Sequence, residues 1–288
     1  MEHQYLDLIK DILENGFKKD GRNGDTLSVF GRHLKFDLRD SFPLLTTKKM
    51  FTKGIIEELL FFIRGETDTK VLENQNINIW KPNTDRKFLD SLGRYDSNEG
   101  DLGTMYGYIW RHFGAPYDKT NNKPLNGEGI DQLQNVVDKI RKDPNSRRIL
   151  LTTYNPSQVD EGVLYPCHSI TIQFYVEGGF LDMFCYNRSS DVGLGLPFNI
   201  ASSALFLMII AKLTNLKARF MNLSLGDCHI YVSHKVALAE QIERLPMKFP
   251  TIIIPDIKEL EDVEKLTYKD FEIVGYECHP AIKMEMIA

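Results

Sequence analysis

The stretch that most constrains this chain runs from Phe198 to Leu213: Phe-Asn-Ile-Ala-Ser-Ser-Ala-Leu-Phe-Leu-Met-Ile-Ile-Ala-Lys-Leu. It reads as a helix that is apolar nearly all round. Such a helix has no polar face to turn to water, so it belongs at the centre of a fold, covered on every side. Asn199, Ser202, Ser203 and Lys212, with Thr214 and Asn215 just beyond, interrupt it too often for a membrane span. The rest of the chain therefore has to supply the layers that wrap this helix.

Those layers are legible in outline. Residues 4–14 carry Tyr5, Leu8, Ile9, Ile12 and Leu13 at helical spacing and stop at Gly16. Lys53 to Arg64 presents a wide apolar face ended by Gly65, and Asp131 to Arg141 is amphipathic and ends at Asp143-Pro144. His234 to Arg244 reads as a surface helix. Leu27 to Leu38, Ile149 to Tyr154, Ala218 to Leu225 and Thr251 to Pro255 read as strands. Ser169 to Val176 and Phe180 to Tyr186 flank Glu177-Gly178-Gly179, a hairpin signal. Residues 81–104 and 114–129 are polar and loop-like. Helices and strands mix without steady βαβ alternation, which predicts an α+β fold with a large mixed sheet around the central helix. We expect one domain over 1–288.

Composition narrows the setting. A chain of 288 residues buries roughly three quarters of its unfolded surface and needs no staple, and four cysteines are too few for a disulfide scaffold. The first residues, Met1-Glu2-His3-Gln4-Tyr5-Leu6-Asp7, lack a secretory pattern. The expectation is a soluble protein of a reducing compartment, the cytoplasm. A formal net charge of -5 excludes a generally basic nucleic-acid surface, though not a local cationic pocket.

Several residues could carry chemistry. Cys167-His168, Cys228-His229 and Cys278-His279 invite a metal reading, but zinc ligands are spaced by two or more residues and strand neighbours face opposite ways, so no metal is expected. Cys167 follows Tyr165-Pro166 at a strand start, where a thiol can be reached; as a nucleophile it would need positive charge nearby, and Arg147, Arg148 and Arg188 are candidates. The alternative is a small buried hydrophobe. Glu57 and Glu58 lie about 100° apart on their helix, so one can face solvent while the other points to the buried side, where its pKa would rise. Arginines at strand ends beside serines, as in Ser146-Arg147-Arg148 and Arg188-Ser189-Ser190, suit phosphate. Gly193-Leu194-Gly195-Leu196-Pro197 is not a dinucleotide fingerprint.

Taken together the chain resembles the folate-dependent thymidylate synthase family. The likeness covers nearly all of it: Phe42-Pro43-Leu44-Leu45-Thr46-Thr47-Lys48, Glu58-Leu59-Leu60-Phe61-Phe62, Tyr106-Gly107-Tyr108-Ile109-Trp110-Arg111, Asp143 to Arg148, Tyr165-Pro166-Cys167-His168, Arg188 to Ser202, Gly226-Asp227-Cys228-His229-Ile230-Tyr231 and the C-terminal tail. The block from Arg188 to Ser202 is the most specific. The resemblance implies conversion of dUMP and 5,10-methylenetetrahydrofolate, the cosubstrate, to dTMP and dihydrofolate. It implies Cys167 as nucleophile toward carbon 6 of uracil, with Glu58, Tyr106, Arg188 and His168 as catalytic partners. It implies Arg22, Arg147, Arg148, Arg188 and Ser189 at the phosphate, with Ser190 in the same block. Asn199 would read the base, His229 and Tyr231 the deoxyribose, and Asp191 the pterin. Ile79, Trp80, Leu164, Leu194, Gly195, Phe198 and Ile287 would line the folate pocket, with Lys48 at the glutamate tail. It also implies a homodimer joined through the sheet, in which Arg147 and Arg148 reach the partner's site.

Departures are few. Lys81-Pro82-Asn83 stands where the family usually has acidic and second-tryptophan positions after Trp80, Phe51 where many relatives have histidine, and Ser190 where cysteine is frequent. Other readings remain: a dCMP hydroxymethylase, disfavoured by Asn199; an RNA-binding side role; and a cysteine hydrolase built on Cys167-His168.

Overall fold

The computed structural model describes residues 1–21, 23–124 and 129–287. In chain order the first part comprises α1 (His3–Asn15), β1 (Phe17–Lys19), β2 (Thr26–Asp37), α2 (Thr52–Ile63), α3 (Lys70–Glu73), α4 (Lys81–Thr84), α5 (Arg86–Ser91) and α6 (Gly107–His112). The middle holds β3 (Tyr117–Asp118), β4 (Lys123–Pro124), α7 (Gln132–Lys142), β5 (Leu150–Thr152), β6 (Thr171–Glu177) and β7 (Phe180–Asp191). The last part holds α8 (Gly195–Leu213), β8 (Lys217–Tyr231), α9 (Lys235–Ile242), β9 (Thr251–Ile253), α10 (Leu260–Glu264) and β10 (Glu272–Val274).

Six strands form the main sheet in the order β1-β2-β8-β7-β6-β5. All neighbours are antiparallel except β7 and β8, which run parallel. A parallel pair needs a long crossover, and α8 supplies it. This explains the opening feature: the crossover helix lies under the sheet with Leu205, Phe206, Leu207, Ile209 and Ile210 all essentially inaccessible to solvent. By length and composition α8 could cross a membrane, but 78% of its apolar window is buried inside the protein. Phe206 stacks on Trp110 at 5.0 Å between centroids, which ties α8 to α6. The fold is thus α+β with a mixed sheet, as the sequence pattern predicts.

Three expectations need correction. Residues 81–104 are not plain loop: α4 and α5 form there, with Pro82 in the first turn of α4, the Asp85 side chain capping α5 by accepting from the Phe88 amide at 2.8 Å, and Leu89 inserted into the core. On α2, both Glu57 and Glu58 are buried. Glu57 accepts the Tyr268 amide at 2.7 Å, a partner 211 positions away that local periodicity could not reveal. The segment read as a surface helix from His234 begins later, at Lys235, and His234 and Gln241 have no exposed surface. The strands β7 and β8 also run on past their apolar cores, to Asp191 and Tyr231, and these polar extensions carry much of the site.

Two local devices fix that end of the sheet. Gly226 in β8 has no room for a side chain, since a Cβ there would lie 2.6 Å from the Arg188 carbonyl oxygen. This close approach seats the two strands where both turn polar. Below, the buried Glu2 carboxylate accepts the backbone and hydroxyl donors of Thr46 and Thr47 at 2.6–2.9 Å, four bonds in all. A buried carboxylate so fully satisfied pins the loop that leads into Lys48.

Candidate active site

A cleft of about 660 Å³ opens at the polar ends of β7 and β8. One wall carries Arg188, Ser189, Asp191, His229 and Tyr231, and Asn23 joins it from the loop before β2. A second wall is the segment 160–167 with Cys167 at its end. Asn83, Leu92 and Arg94 close the far side, and Ile287 comes in from the C-terminal tail. The volume falls in the range of small-molecule sites, and polar groups converge on a partly apolar lining.

Cys167 is half-buried and unpaired. The Tyr106 hydroxyl lies 3.3 Å from its Sγ and accepts its amide at 3.2 Å. Burial pushes the thiol pKa up, while the hydrogen bond to Tyr106 and the positive charge of Arg188 pull against it. Arg188 also braces the approach to the cysteine, donating to the Pro166 and Tyr165 carbonyls at 3.1 Å each. The Ser189 amide donates to the Cys167 carbonyl at 3.1 Å. Both flanks of the thiol are therefore held by the end of β7.

Behind Cys167 lies an aromatic stack. Tyr106 and His168 are 4.3 Å apart and nearly parallel, and Phe62 lies 4.9 Å from Tyr106. Tyr106 sits at φ 36°, outside the usual regions for a side-chain-bearing residue. Such strain persists only where surroundings over-determine it; here Gly107 presses on the Phe62 backbone, with a would-be Cβ at 2.5 Å. Burial lowers the His168 pKa to about 4, so its imidazole is neutral at physiological pH. Its Nδ1 lies 3.0 Å from the Ser169 hydroxyl.

Glu58 is the other titratable group of this region. Trp80 Nε1 donates to its Oε1 at 2.8 Å. Burial raises its pKa to about 7, partly opposed by that hydrogen bond. A carboxyl poised near neutrality can both give and take a proton. Because the folded pKa exceeds the unfolded one, the folded state holds the extra proton between about pH 4.5 and 7, and stability falls as pH rises through that window. Glu58→Gln is therefore expected to gain roughly 3 kcal/mol over wild type in denaturant unfolding at pH 8 and little at pH 4. An unchanged difference across that range would contradict the assignment.

The residues 191–194 form a tight turn between β7 and α8. Asp191 Oδ1 accepts the Gly193 and Leu194 amides at 2.9 and 3.3 Å. Lys48 is buried beneath and donates to the Gly193 carbonyl at 2.5 Å. Burial lowers its pKa to about 8, opposed by the Asp191 charge. The Tyr5 hydroxyl donates to the Val192 carbonyl at 2.9 Å. His229 Nδ1 lies 3.1 Å from Asp227 Oδ1, and Asp227 in turn accepts from Ser28 at 3.0 Å and Lys19 at 2.9 Å.

Comparison with known proteins decides the family. The thymidylate synthase family model matches residues 3–288. The chain is 48% identical to thymidylate synthase 1/2 of Encephalitozoon cuniculi, covering 100% of this chain and 97% of that protein. It is 48% identical to human thymidylate synthase over 99% of this chain and 90% of the human protein. The chain belongs to the thymidylate synthase family. A bifunctional dihydrofolate reductase-thymidylate synthase of Zea mays is 46% identical over 99% of this chain, but the chain spans only 54% of that longer protein.

Of the residues that the thymidylate synthase resemblance singled out, Cys167, Arg188, Ser189, Asp191, His229, Tyr231, Leu164 and Ile287 line the one cleft. Tyr106 touches the Cys167 thiol and stacks on His168, and Trp80, which donates to Glu58, lies 6.0 Å from Tyr106 between ring centroids. Asn199 lies half-buried at the start of the second turn of α8, after the Leu194 cap, Gly195 and Phe198, and Ile79 packs partly buried against the core. Arg22 lies outside the described residues. Arg147 and Arg148 are exposed and do not line this cleft. Ser190 is buried, off the cleft wall, and its hydroxyl has no hydrogen-bond partner. Lys48 points under the 191–194 turn rather than into the open cleft.

The cleft also contains residues that the sequence did not flag. Leu92 and Arg94 follow α5, in the stretch read as loop, and Asp160, Gly162 and Val163 precede the nucleophile segment. The nearest sequence signal was their closeness to Tyr165-Pro166-Cys167. Nothing local marks Arg94.

Among the described residues no group of three or more His, Cys, Asp or Glu side chains is placed to hold a metal.

Proposed function

We propose that this cleft converts dUMP and 5,10-methylenetetrahydrofolate to dTMP and dihydrofolate, with Cys167 as nucleophile. The observation that carries the reading is that the Cys167 thiol and Arg188 line one cleft, with the buried Tyr106 hydroxyl 3.3 Å behind the thiol, in a chain of this family. In this reading the Cys167 thiolate adds to carbon 6 of uracil, and carbon 5 becomes the attacking carbon. The bound folate supplies the one-carbon unit and the hydride that reduces it to a methyl group. The proton on carbon 5 must leave, and Tyr106, beside the thiol, is positioned to assist. Loss of that proton lets the folate nitrogen leave the transferred carbon, and when the hydride arrives on that carbon the electron pair moves back into the ring, the Cys167–carbon 6 bond breaks and the thiolate is released.

The remaining roles follow from placement. Arg188, exposed at the cleft wall beside Ser189, meets the phosphate as well as the thiol. Asn199 pairs with the uracil edge, its amide donating to O4 and accepting from the ring NH. Glu58 and the neutral His168 handle protons at O4. His229, held by Asp227, and Tyr231 take the deoxyribose hydroxyl. The folate fits the apolar part of the cleft, where Leu92, Val163, Leu164 and Ile287 lie beside Asp191, the pterin ligand. Ile79, Trp80, Leu194, Gly195 and Phe198 complete its pocket. Lys48 meets the glutamate tail only by giving up the Gly193 carbonyl. The whole chain, 1–288, works as one catalytic unit in the cytoplasm, a compartment that suits its four free thiols.

Purified protein should form dihydrofolate from methylenetetrahydrofolate only when dUMP is added. No absorbance change from folded protein, or turnover of dCMP instead, would overturn the reading.

We further infer a homodimer with shared sites. The sheet face that carries Leu150, Tyr175 and Phe184 is open, with these side chains 47%, 60% and 44% exposed. Exposed apolar side chains on one face mark an interface. Arg147 and Arg148, off the local cleft, are then available to the partner's phosphate site. Arg147→Ala and Cys167→Ser proteins, each nearly inactive, should recover about a quarter of wild-type activity when mixed and exchanged, because one site per heterodimer is intact. No recovery in proven heterodimers would contradict sharing.

A further inference from the structure

We propose that Arg94 is a positioning residue for the nucleophile: its guanidinium clamps the loop that carries Cys167. The inference rests on reading Cys167 as the attacking thiol. Arg94 Nη1 donates to the Glu161 carbonyl at 2.8 Å, and Nη2 donates to the Asp160 and Gly162 carbonyls at 2.7 and 2.6 Å. Three successive carbonyls thus converge on one planar fork, a geometry that the single ammonium of lysine does not reproduce. The same loop continues to Tyr165 and Pro166, whose carbonyls are taken by Arg188. Two guanidiniums therefore hold the approach to the thiol, one at each end.

The base of the clamp is itself fixed. The Arg94 amide donates to the Leu89 carbonyl at 2.9 Å, and Arg86 Nη2 donates to the Arg94 carbonyl at 2.6 Å, so the arginine is anchored to α5. The loop has a second support in the segment before Tyr106. The Val163 amide donates to the Leu102 carbonyl at 3.0 Å, and the Thr104 hydroxyl donates to the Gln158 carbonyl at 2.8 Å. Gly103, at φ 69°, passes so close to the loop that a Cβ would lie 2.0 Å from the Glu161 oxygen. That segment leads directly to Tyr106, whose hydroxyl touches the thiol. Arg94 supplies the positive charge facing this junction, with Asp101, Glu161 and Asp160 as its acidic neighbours. Without it, the turn at 160–162 keeps its packing on Gly103 but loses three charge-assisted bonds, and the thiol loses a fixed distance to Tyr106 and to the base.

The test compares wild type, Arg94→Leu and Arg94→Lys in dihydrofolate formation, and in the rate of covalent adduct formation on Cys167 with a 5-fluorinated dUMP analogue and methylenetetrahydrofolate. A misplacement of about 1 Å can cost about 10²-fold in rate, so Arg94→Leu should lower kcat by about 10- to 100-fold and slow adduct formation by a similar factor. The KM for dUMP should stay within about three-fold, and Arg94→Lys should recover only part of the loss. An active wild type with Arg94→Leu within two-fold of it overturns the clamp and leaves the reaction intact. So does a loss confined to the folate KM, which would make Arg94 a ligand contact. If Arg94→Leu does not fold, Arg94→Lys decides: full wild-type kcat overturns the clamp, and a reduced kcat with normal dUMP KM supports it. A folded wild type that forms neither dihydrofolate nor adduct overturns the reaction and the clamp together.

Discussion

Cys167→Ser is expected to lower kcat for dihydrofolate formation by at least about 10⁴-fold while leaving dUMP binding within a few-fold. The substitution changes one atom in a half-buried position braced on both sides. A serine hydroxyl keeps the hydrogen bond with Tyr106 but cannot ionise in a site where burial already holds a thiol pKa up. Without a nucleophile at carbon 6 there is no activated carbon 5, and the other groups have nothing to act on. Cys185, Cys228 and Cys278 offer no rescue, since none of them lines the cleft. Calorimetry with dUMP alone separates binding from turnover. A variant with substantial turnover would remove Cys167 from the mechanism.

The second large effect concerns base choice. Asn199→Asp should lower kcat/KM for dUMP by about 10²- to 10⁴-fold and introduce measurable turnover of dCMP, because mismatched polar groups in a site that excludes water are left unpaired. The amide of Asn199 offers one donor and one acceptor, the complement of the uracil edge. An ionised carboxylate offers acceptors only, and these suit the exocyclic amino group of cytosine. Asn199 occupies the second turn of α8 and is itself only half-buried, so the swap exchanges one polar group for another of similar size without repacking the core. Competition between dUMP and dCMP in one assay reads the ratio directly. An unchanged preference would place the discrimination elsewhere.

How far the sequence foretold this molecule depended on how local each cause was. The central helix, the 171–191 hairpin and the nucleophile segment were legible, because periodicity, a Gly-Gly turn and a Pro-Cys pair act over a few residues. The buried state of Glu57 was not, because its partner is the Tyr268 amide near the other end of the chain. The placement of Lys48 has equally distant causes: its loop is pinned by Glu2, and its ammonium donates to the Gly193 carbonyl. Arg94 left no trace in composition or spacing, since its function depends on three carbonyls that come together only in the fold. The family motifs point to the groups proposed to do the chemistry, and the fold shows which residues hold those groups in place.

The most direct test of the central claim is mass spectrometry of the protein incubated with a 5-fluorinated dUMP analogue and methylenetetrahydrofolate. Fluorine at carbon 5 cannot leave as a proton does, so the reaction should stop with nucleotide and folate both attached to the enzyme. The account predicts a stable adduct of both masses, mapping to the peptide that contains Cys167 and absent from Cys167→Ser. Folded protein that forms no adduct, or an adduct on any other residue, would contradict it.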